Sequence, residues 1–261
     1  MNPKLKHTLK KFLPLGFLVT LHNIYSRFLS GFRYVSFLKE WKQFKKMSKE
    51  AGDNRFDLSG KDLFPILHEK SQEHSFDRHY TYHPAWAARK LSEIKPEMHI
   101  DISSTLHFST IVSAFIPVKF YDYRALNIDL SNFSTGAADL LKLPFADASV
   151  PSLSCMHTLE HIGLGRYGDP LDPTGDVKAM KELQRVLSVG GNLLVVVPVG
   201  KPVVQFNSQR IFSYEQVMSS FSGLKVKEFT LLTDDGQLIV NADPALVEKQ
   251  IYGCGCFLFT K

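Results

Sequence analysis

Three cysteines in 261 residues, Cys155, Cys254 and Cys256, are too few for a disulfide framework. They read as core residues of a chain kept in a reducing, cytoplasmic compartment rather than as metal ligands. Long apolar runs are also missing from the first fifty residues. The longest uncharged stretch there, Phe12 to Ser26, is interrupted by Pro14, Thr20, His22 and Asn23. It falls short of the roughly 20 apolar residues that a spanning helix needs. It has the basic start and apolar middle of a signal peptide, but no small-x-small cleavage site follows. The chain contains no internal repeat and no low-complexity segment. Glycine is absent between Asp101 and Phe108, in the loop that follows the first strand. What is present is ordinary for a globule: 44% apolar and 22% charged residues, which excludes a disordered chain.

Charge is unevenly placed. Residues 1–50 hold eleven Lys and Arg (Lys4, Lys6, Lys10, Lys11, Arg27, Arg33, Lys39, Lys42, Lys45, Lys46, Lys49) against Glu40 and Glu50, a balance of +9. The whole chain is +5, so residues 51–261 carry −4. The basic character therefore belongs to the N-terminal segment, which argues against a nucleic-acid-binding core. Phe17, Leu21, Ile24, Phe28, Val35 and Leu38 recur there at three- and four-residue steps. Residues 1–50 are thus expected to be a basic amphipathic helical extension. One reading gives it peripheral membrane contact; the other packs it on the domain or on a partner chain. Residues 51–75 are a polar connector with one short helix, and 76–261 form the main domain.

Within that domain, Asp77-Arg-His79-Tyr80-Thr-Tyr82-His83 is a dense polar and aromatic cluster before Pro84, a residue suited to open a helix. It is an aromatic cover on the sheet or, as the family resemblance given below implies, a candidate substrate wall. A first strand is expected at 98–102, ending on Asp101, and a second at 118–122, ending on Asp122. Gly136-Ala-Ala-Asp139-Leu140-Leu-Lys-Leu-Pro144-Phe145 follows. A fourth, apolar strand reaches His157-Thr-Leu-Glu160-His161. Then comes a glycine- and acid-rich loop carrying Arg166, Asp169, Asp172 and Asp176, with Asp176 placed to cap a helix over 177–187. A fifth apolar strand spans 192–197. Apolar strands alternating with helices are the pattern of a doubly wound α/β sheet, whose strands are buried on both faces and whose site lies at their carboxyl ends.

This order, with the HxxEHIGLGRYGDPLDP run, resembles the class I S-adenosylmethionine (SAM) methyltransferases. More narrowly, it resembles an uncharacterised methyltransferase-like family whose members often sit among surface-polysaccharide functions. The resemblance implies a Rossmann-like, mostly parallel seven-stranded sheet closed by an antiparallel pair. It implies SAM as cofactor, held by Asp101, Ser103, Ser104, Asp122, Asp139, Leu140 and His157. Asp122 would take the ribose hydroxyls and Asp139 the adenine amino group. Asp139 is equally a turn aspartate bonding nearby backbone. The chain departs from the family in its glycine-free loop, because Ser103, Ser104 and Thr105 do not reach positive φ cheaply. The candidate catalytic cluster is His157, Glu160, His161, Arg166 and Asp169. HxxEH also matches an inverted zinc-protease signature, which needs one long helix where this chain has a strand and glycines. ExxEH at the same place in ubiquinone-pathway and small-RNA O-methyltransferases implies instead a divalent metal on His157, Glu160 and His161, with Zn²⁺, Mn²⁺ or Fe²⁺ suiting the mixed donors. The plain alternative is that Glu160 and His161 shape the turn. The leading expectation for function is methyl transfer to a hydroxyl of a glycan, lipid-linked sugar or other polar small molecule. The other is a methyltransferase-like binding protein that has lost SAM.

Overall fold

The structure is a computed structural model describing residues 15–67, 69, 70, 76–124 and 126–261, without the side chains of 15–28. Lys4, Lys6, Lys10 and Lys11 lie outside the described residues, as do the side chains of Phe17, Leu21, Ile24, Arg27 and Phe28. The chain divides into two units, Met1–Ser75 and Phe76–Lys261. In the first, helix α1 spans Leu15–Glu50. At 100° per residue, Lys39, Lys42 and Lys46 continue the face that carries Val35 and Leu38. The apolar stripe therefore turns basic after Leu38, while exposed Phe44 and Met47 point elsewhere. No helix among the described residues is long and apolar enough to cross a membrane. The connector holds one 3-10 turn, Gly60–Asp62, capped by Ser59.

The second unit is built on one sheet. In chain order the strands are β1 His99–Ile102, β2 Val118–Asp122, β3 Phe133–Ala137, β4 Val150–Met156, β5 Leu187–Val199, then a small ribbon of β6 Val203–Gln205 and β7 Gln209–Ile211, then β8 Lys225–Leu232, β9 Leu238–Val240 and β10 Gly253–Thr260. The main sheet runs β3-β2-β1-β4-β5-β10-β8-β9. Its first five strands are parallel; β10 is antiparallel to both β5 and β8. The expected seven strands are eight. After β8, Thr233 N–H bonds Gln237 O at 2.9 Å and Gly236 takes a φ of +93°, so the chain turns straight back and adds β9 at the edge. The order reverses between β1 and β4, which opens a crevice at the carboxyl ends of the parallel strands.

Helices cover both faces. α2 is Arg78–Ile94, α3 Leu106–Val112, α4 Gly175–Val186 and α5 Tyr214–Ser220. On one face Met180, Leu183, Val217 and Phe221 pack with Val195, Val197, Phe257 and Phe259. On the other Trp86, Leu91, Phe108 and Val112 pack with Leu194, Val196, Cys254 and Cys256. Consecutive residues of β5 and β10 thus go to opposite cores, which is why each strand reads as an unbroken apolar run.

Two helix starts differ from expectation. α2 opens at Arg78, not Pro84, because the Asp77 carboxylate caps the Tyr80 N–H at 3.1 Å. The Asp77–His83 cluster therefore forms the first helical turns, with Pro84 inside the helix. For α4 the N-cap position is Thr174, not Asp176; Asp176 instead lies 3.5 Å from Arg210 Nε. Ser213 caps α5 in a reciprocal box with Gln216.

Candidate functional site

Below the carboxyl end of β1, a run of buried polar groups joins β1, β4 and α3. Asp101 has no exposed surface, and its carboxylate accepts from Ser109 Oγ and, at 2.5 Å, from Ser154 Oγ. His99 Nε2 lies 2.9 Å from Ser154 Oγ and its Nδ1 2.8 Å from Ser152 Oγ. Since Ser154 gives its proton to Asp101, His99 Nε2–H donates to Ser154 and His99 Nδ1 accepts from Ser152. Burial pushes His99 down to about 3, so it is neutral, and pushes Asp101 up to about 6 against the hydroxyls of Ser104, Ser109 and Ser154. Asp101 and Ser104 therefore support the loop from beneath. They do not face the cleft; Ser104 Oγ accepts the Met156 N–H at 3.0 Å.

Ser103 sits at the turn itself, with a φ of +55°. Its N–H donates to Tyr121 O at 2.7 Å and its carbonyl accepts from Thr158 Oγ1 at 2.8 Å. The loop thus takes the left-handed step without a glycine, at a cost of about 1–2 kcal/mol held by these two bonds. Ser103→Gly is expected to keep or raise stability, and Ser103→Val to lower it by about 2 kcal/mol, since a β-branched residue is more strained there. Equal urea midpoints for the two variants would mean that the loop takes another path.

Above this loop lies a cleft of about 370 Å³. Ser103, Asp122, Asp139, Leu140, His157, His161 and Asp169 all line it, joined by Tyr123, Arg124, Thr158 and Tyr167. Asp122 ends β2 and Asp139 follows β3, so adjacent parallel strands deliver the two acids. Each uses Oδ1 on a backbone N–H two residues ahead, Asp122 on Arg124 at 3.0 Å and Asp139 on Leu141 at 2.8 Å. The other oxygen of each makes no hydrogen bond among the described residues.

The five-residue cluster expected at the end of β4 divides. His157 has a φ of +54° and Nδ1 2.7 Å from Glu160 Oε1, both side chains almost fully buried. Burial alone lowers the His157 pKa, but the Glu160 carboxylate and the Cys254 thiol outweigh it and push it up to about 10. His161 Nδ1–H donates to Ser208 O at 2.6 Å, and burial lowers its pKa. Its Nε2 is 3.9 Å from Glu160 Oε1. Asp169 spends both oxygens on its own loop, accepting Gly163 N–H at 2.7 Å and Tyr167 N–H at 3.3 Å. Arg166 does not line the cleft; it donates to Ser208 O at 3.2 Å and lies over the Tyr167 ring. Of the His157–Glu160–His161 set expected to hold a metal, His157 and Glu160 are hydrogen-bonded to each other at 2.7 Å.

Some working residues were not singled out from the sequence. Arg210, 6% exposed, holds the glycine-rich loop by donating to Ile162 O at 2.7 Å, with the Asp172 and Pro173 carbonyls nearby. The loop is tight: a Cβ on Gly163, whose φ is +79°, would meet Asp172 O at 2.1 Å. Opposite the loop, His79, Tyr80 and His83 pack their rings on His157 at centroid distances of 5.3, 5.4 and 4.9 Å. Cys254, read from the sequence as a core residue, places Sγ 3.6 Å from His157 Nε2. Only the 77–83 segment carried a local signal; Arg210 and Cys254 reach the site through strand register.

Residues 132–234 match the model of a family described as a Caenorhabditis protein of unknown function, DUF268. No curated protein matches the chain. Among solved structures, the chain is similar to the putative methyltransferase in complex with the Trm112 activator of Haloferax volcanii, at 17% identity and a TM-score of 0.47 over 70% of this chain and 90% of that one. It is similar to the N-methyltransferase NodS of Bradyrhizobium japonicum in complex with S-adenosyl-L-homocysteine, at 14% identity and a TM-score of 0.46 over 67% and 83%. It is also similar to geranyl diphosphate C-methyltransferase of Streptomyces coelicolor, at 10% and 0.47 over 67% and 77%. At this level the likenesses add nothing to the strand order. That order, five parallel strands reversing between β1 and β4 and closed by an antiparallel pair with one added edge strand, gives Phe76–Lys261 a class I methyltransferase-like fold.

Proposed function

We propose that the cleft binds SAM and that the chain transfers its methyl group to a hydroxyl of a glycan, lipid-linked sugar or other polar small molecule. The observation that supports this best is the pair Asp122 and Asp139, brought to one cleft by adjacent parallel strands, each with an oxygen not used by the fold. A carboxylate accepts two hydrogen bonds at once, so Asp122 suits a vicinal pair of ribose hydroxyls, while Asp139 accepts from an adenine amino group. Leu140 supplies an apolar side for the base. A cleft of about 370 Å³ falls in the usual range for cofactor sites, roughly 300–1,000 Å³.

Bound SAM would supply an electrophilic methyl on a sulfonium, leaving the protein to orient the acceptor and take its proton. His161 is the better base of the two histidines. Its Nδ1–H is fixed by the Ser208 carbonyl, which leaves the Nε2 lone pair available. Its lowered pKa keeps it neutral near pH 7. His157 is tied at both nitrogens, to Glu160 and beside Cys254.

Calorimetry with SAM and S-adenosylhomocysteine tests the reading. Asp122→Ala and Asp139→Ala are each expected to weaken binding at least tenfold, about 1.4 kcal/mol. Unchanged affinities would remove the two acids from the cofactor site. Absence of binding by the wild-type chain at millimolar SAM would favour the non-catalytic binding protein.

A further inference from the structure

We propose that His79, His157 and Cys254 form a zinc site beside the cleft. One donor atom from each of the three lies within 4.8 Å of the other two. They come from three separate elements: His79 from the first turn of α2, His157 from the exit of β4, and Cys254 from β10. In tetrahedral zinc, with Zn–S near 2.3 Å and Zn–N near 2.0–2.1 Å, a nitrogen and a sulfur ligand stand about 3.6 Å apart. His157 Nε2 and Cys254 Sγ are already 3.6 Å apart.

The hydrogen bonds around the trio point the same way. A metal-bound histidine generally donates its other ring N–H to a carboxylate or a backbone carbonyl, which fixes the tautomer and aims the ligating nitrogen. Both histidines have such a partner. His157 Nδ1 is 2.7 Å from Glu160 Oε1, leaving Nε2 turned to Cys254. His79 Nε2–H donates to Tyr252 O at 3.1 Å, and the flat stack of its ring on Tyr252 holds that orientation. His79 Nδ1 is then buried without a hydrogen-bond partner among the described residues, a costly state for a lone pair that a metal would relieve. His83 Nε2 is a second such nitrogen among the described residues, on a ring 4.9 Å from the His157 ring; His83 Nδ1 is committed to His79 O at 2.7 Å.

A thiolate with two imidazoles matches the borderline character of Zn²⁺ and not of Mg²⁺ or Ca²⁺. Coordination replaces the S–H bond of Cys254 by an S–Zn bond and the Nε2–H bond of the His157 imidazolium by an N–Zn bond, and both protons leave to solvent. Three protein ligands leave a fourth position open for water, an anion or His83. The set differs from the His157, Glu160 and His161 trio expected from the sequence: Glu160 moves from ligand to hydrogen-bond partner, and Cys254 enters from the far end of the chain.

The test uses the full chain stripped with a chelator and reloaded. Elemental analysis is expected to find one Zn²⁺ per chain. Co²⁺ in its place is expected to give the visible bands of a tetrahedral site and a near-ultraviolet thiolate charge-transfer band. Cys254→Ser should abolish the charge-transfer band, and His79→Ala should weaken Zn²⁺ at least about tenfold in a competition with a chelating dye. Cys256→Ser alters an equally buried thiol two residues along the same strand, and should leave both signals within about threefold. No metal in the reloaded wild type overturns the proposal, and so does a charge-transfer band that survives Cys254→Ser. Equal loss in Cys254→Ser and Cys256→Ser would place the metal elsewhere on β10. Should Cys254→Ser fail to fold, the wild-type cobalt spectrum decides alone: a spectrum without thiolate character rejects the site.

Discussion

Glu160→Ala is expected to destabilise the folded chain by about 3–5 kcal/mol, the range for breaking one side of a buried ion pair. Glu160 is 1% exposed, and its Oε1 holds His157 Nδ1 at 2.7 Å. Without it, a buried imidazolium and its N–H lose their partner in a wall of rings from His79, Tyr80 and His83. Glu160→Gln keeps an acceptor at the same distance and should lose less. Urea denaturation of chelator-treated protein checks both. A loss below about 1 kcal/mol for the alanine variant, with ligand binding abolished, would show that Glu160 belongs to a ligand and not to the fold.

The second large effect is a pH dependence at Asp101. Its folded pKa of about 6 lies above the ordinary 3.8. Between those values the folded chain binds more protons than the unfolded one, so Asp101's contribution to stability falls as pH rises from about 4 to about 6. At 1.36 kcal/mol per unit the change approaches about 3 kcal/mol. Asp101→Asn has no such titration. Its stability relative to wild type should therefore rise by up to that amount from pH 4 to pH 7. A constant difference across that range would mean that the serine hydroxyls fully compensate the buried charge. Asp101→Ala at neutral pH should cost about 1–3 kcal/mol, because Ser109 and Ser154 lose their acceptor.

Much of the sheet was legible because its physics is local. A continuous apolar run marked β5, and the stretch leading to His157 marked β4. β9 was not legible, since three residues at an edge carry no periodicity. The start of α2 was misplaced because Pro84 suits a first helical position, yet the Asp77 cap acts earlier and α2 accommodates the proline. The glycine-free loop illustrates a different limit. Composition says that Ser103 resists positive φ, but two backbone-anchored bonds from Tyr121 and Thr158 hold it there. At the site, Asp122, Asp139, His157 and His161 were readable from their places after strands. The pairing of His157 with Cys254 was not, because the two are 97 residues apart and meet only through the register of β10.

That register also shapes how the sheet comes into being. β10 lies between β5 and β8 but follows both in the chain. During synthesis β5 leaves the ribosome with one long edge unpaired, and β8 has only the three-residue β9 beside it. Residues 253–260 must enter a slot between β5 and β8, the former paired at a separation of some sixty residues, before either face can be sealed. Until then the valine run of β5 is an open edge of the kind that recruits other chains. Assembly of this unit is a race between insertion of its last strand and capture of that edge by a neighbour.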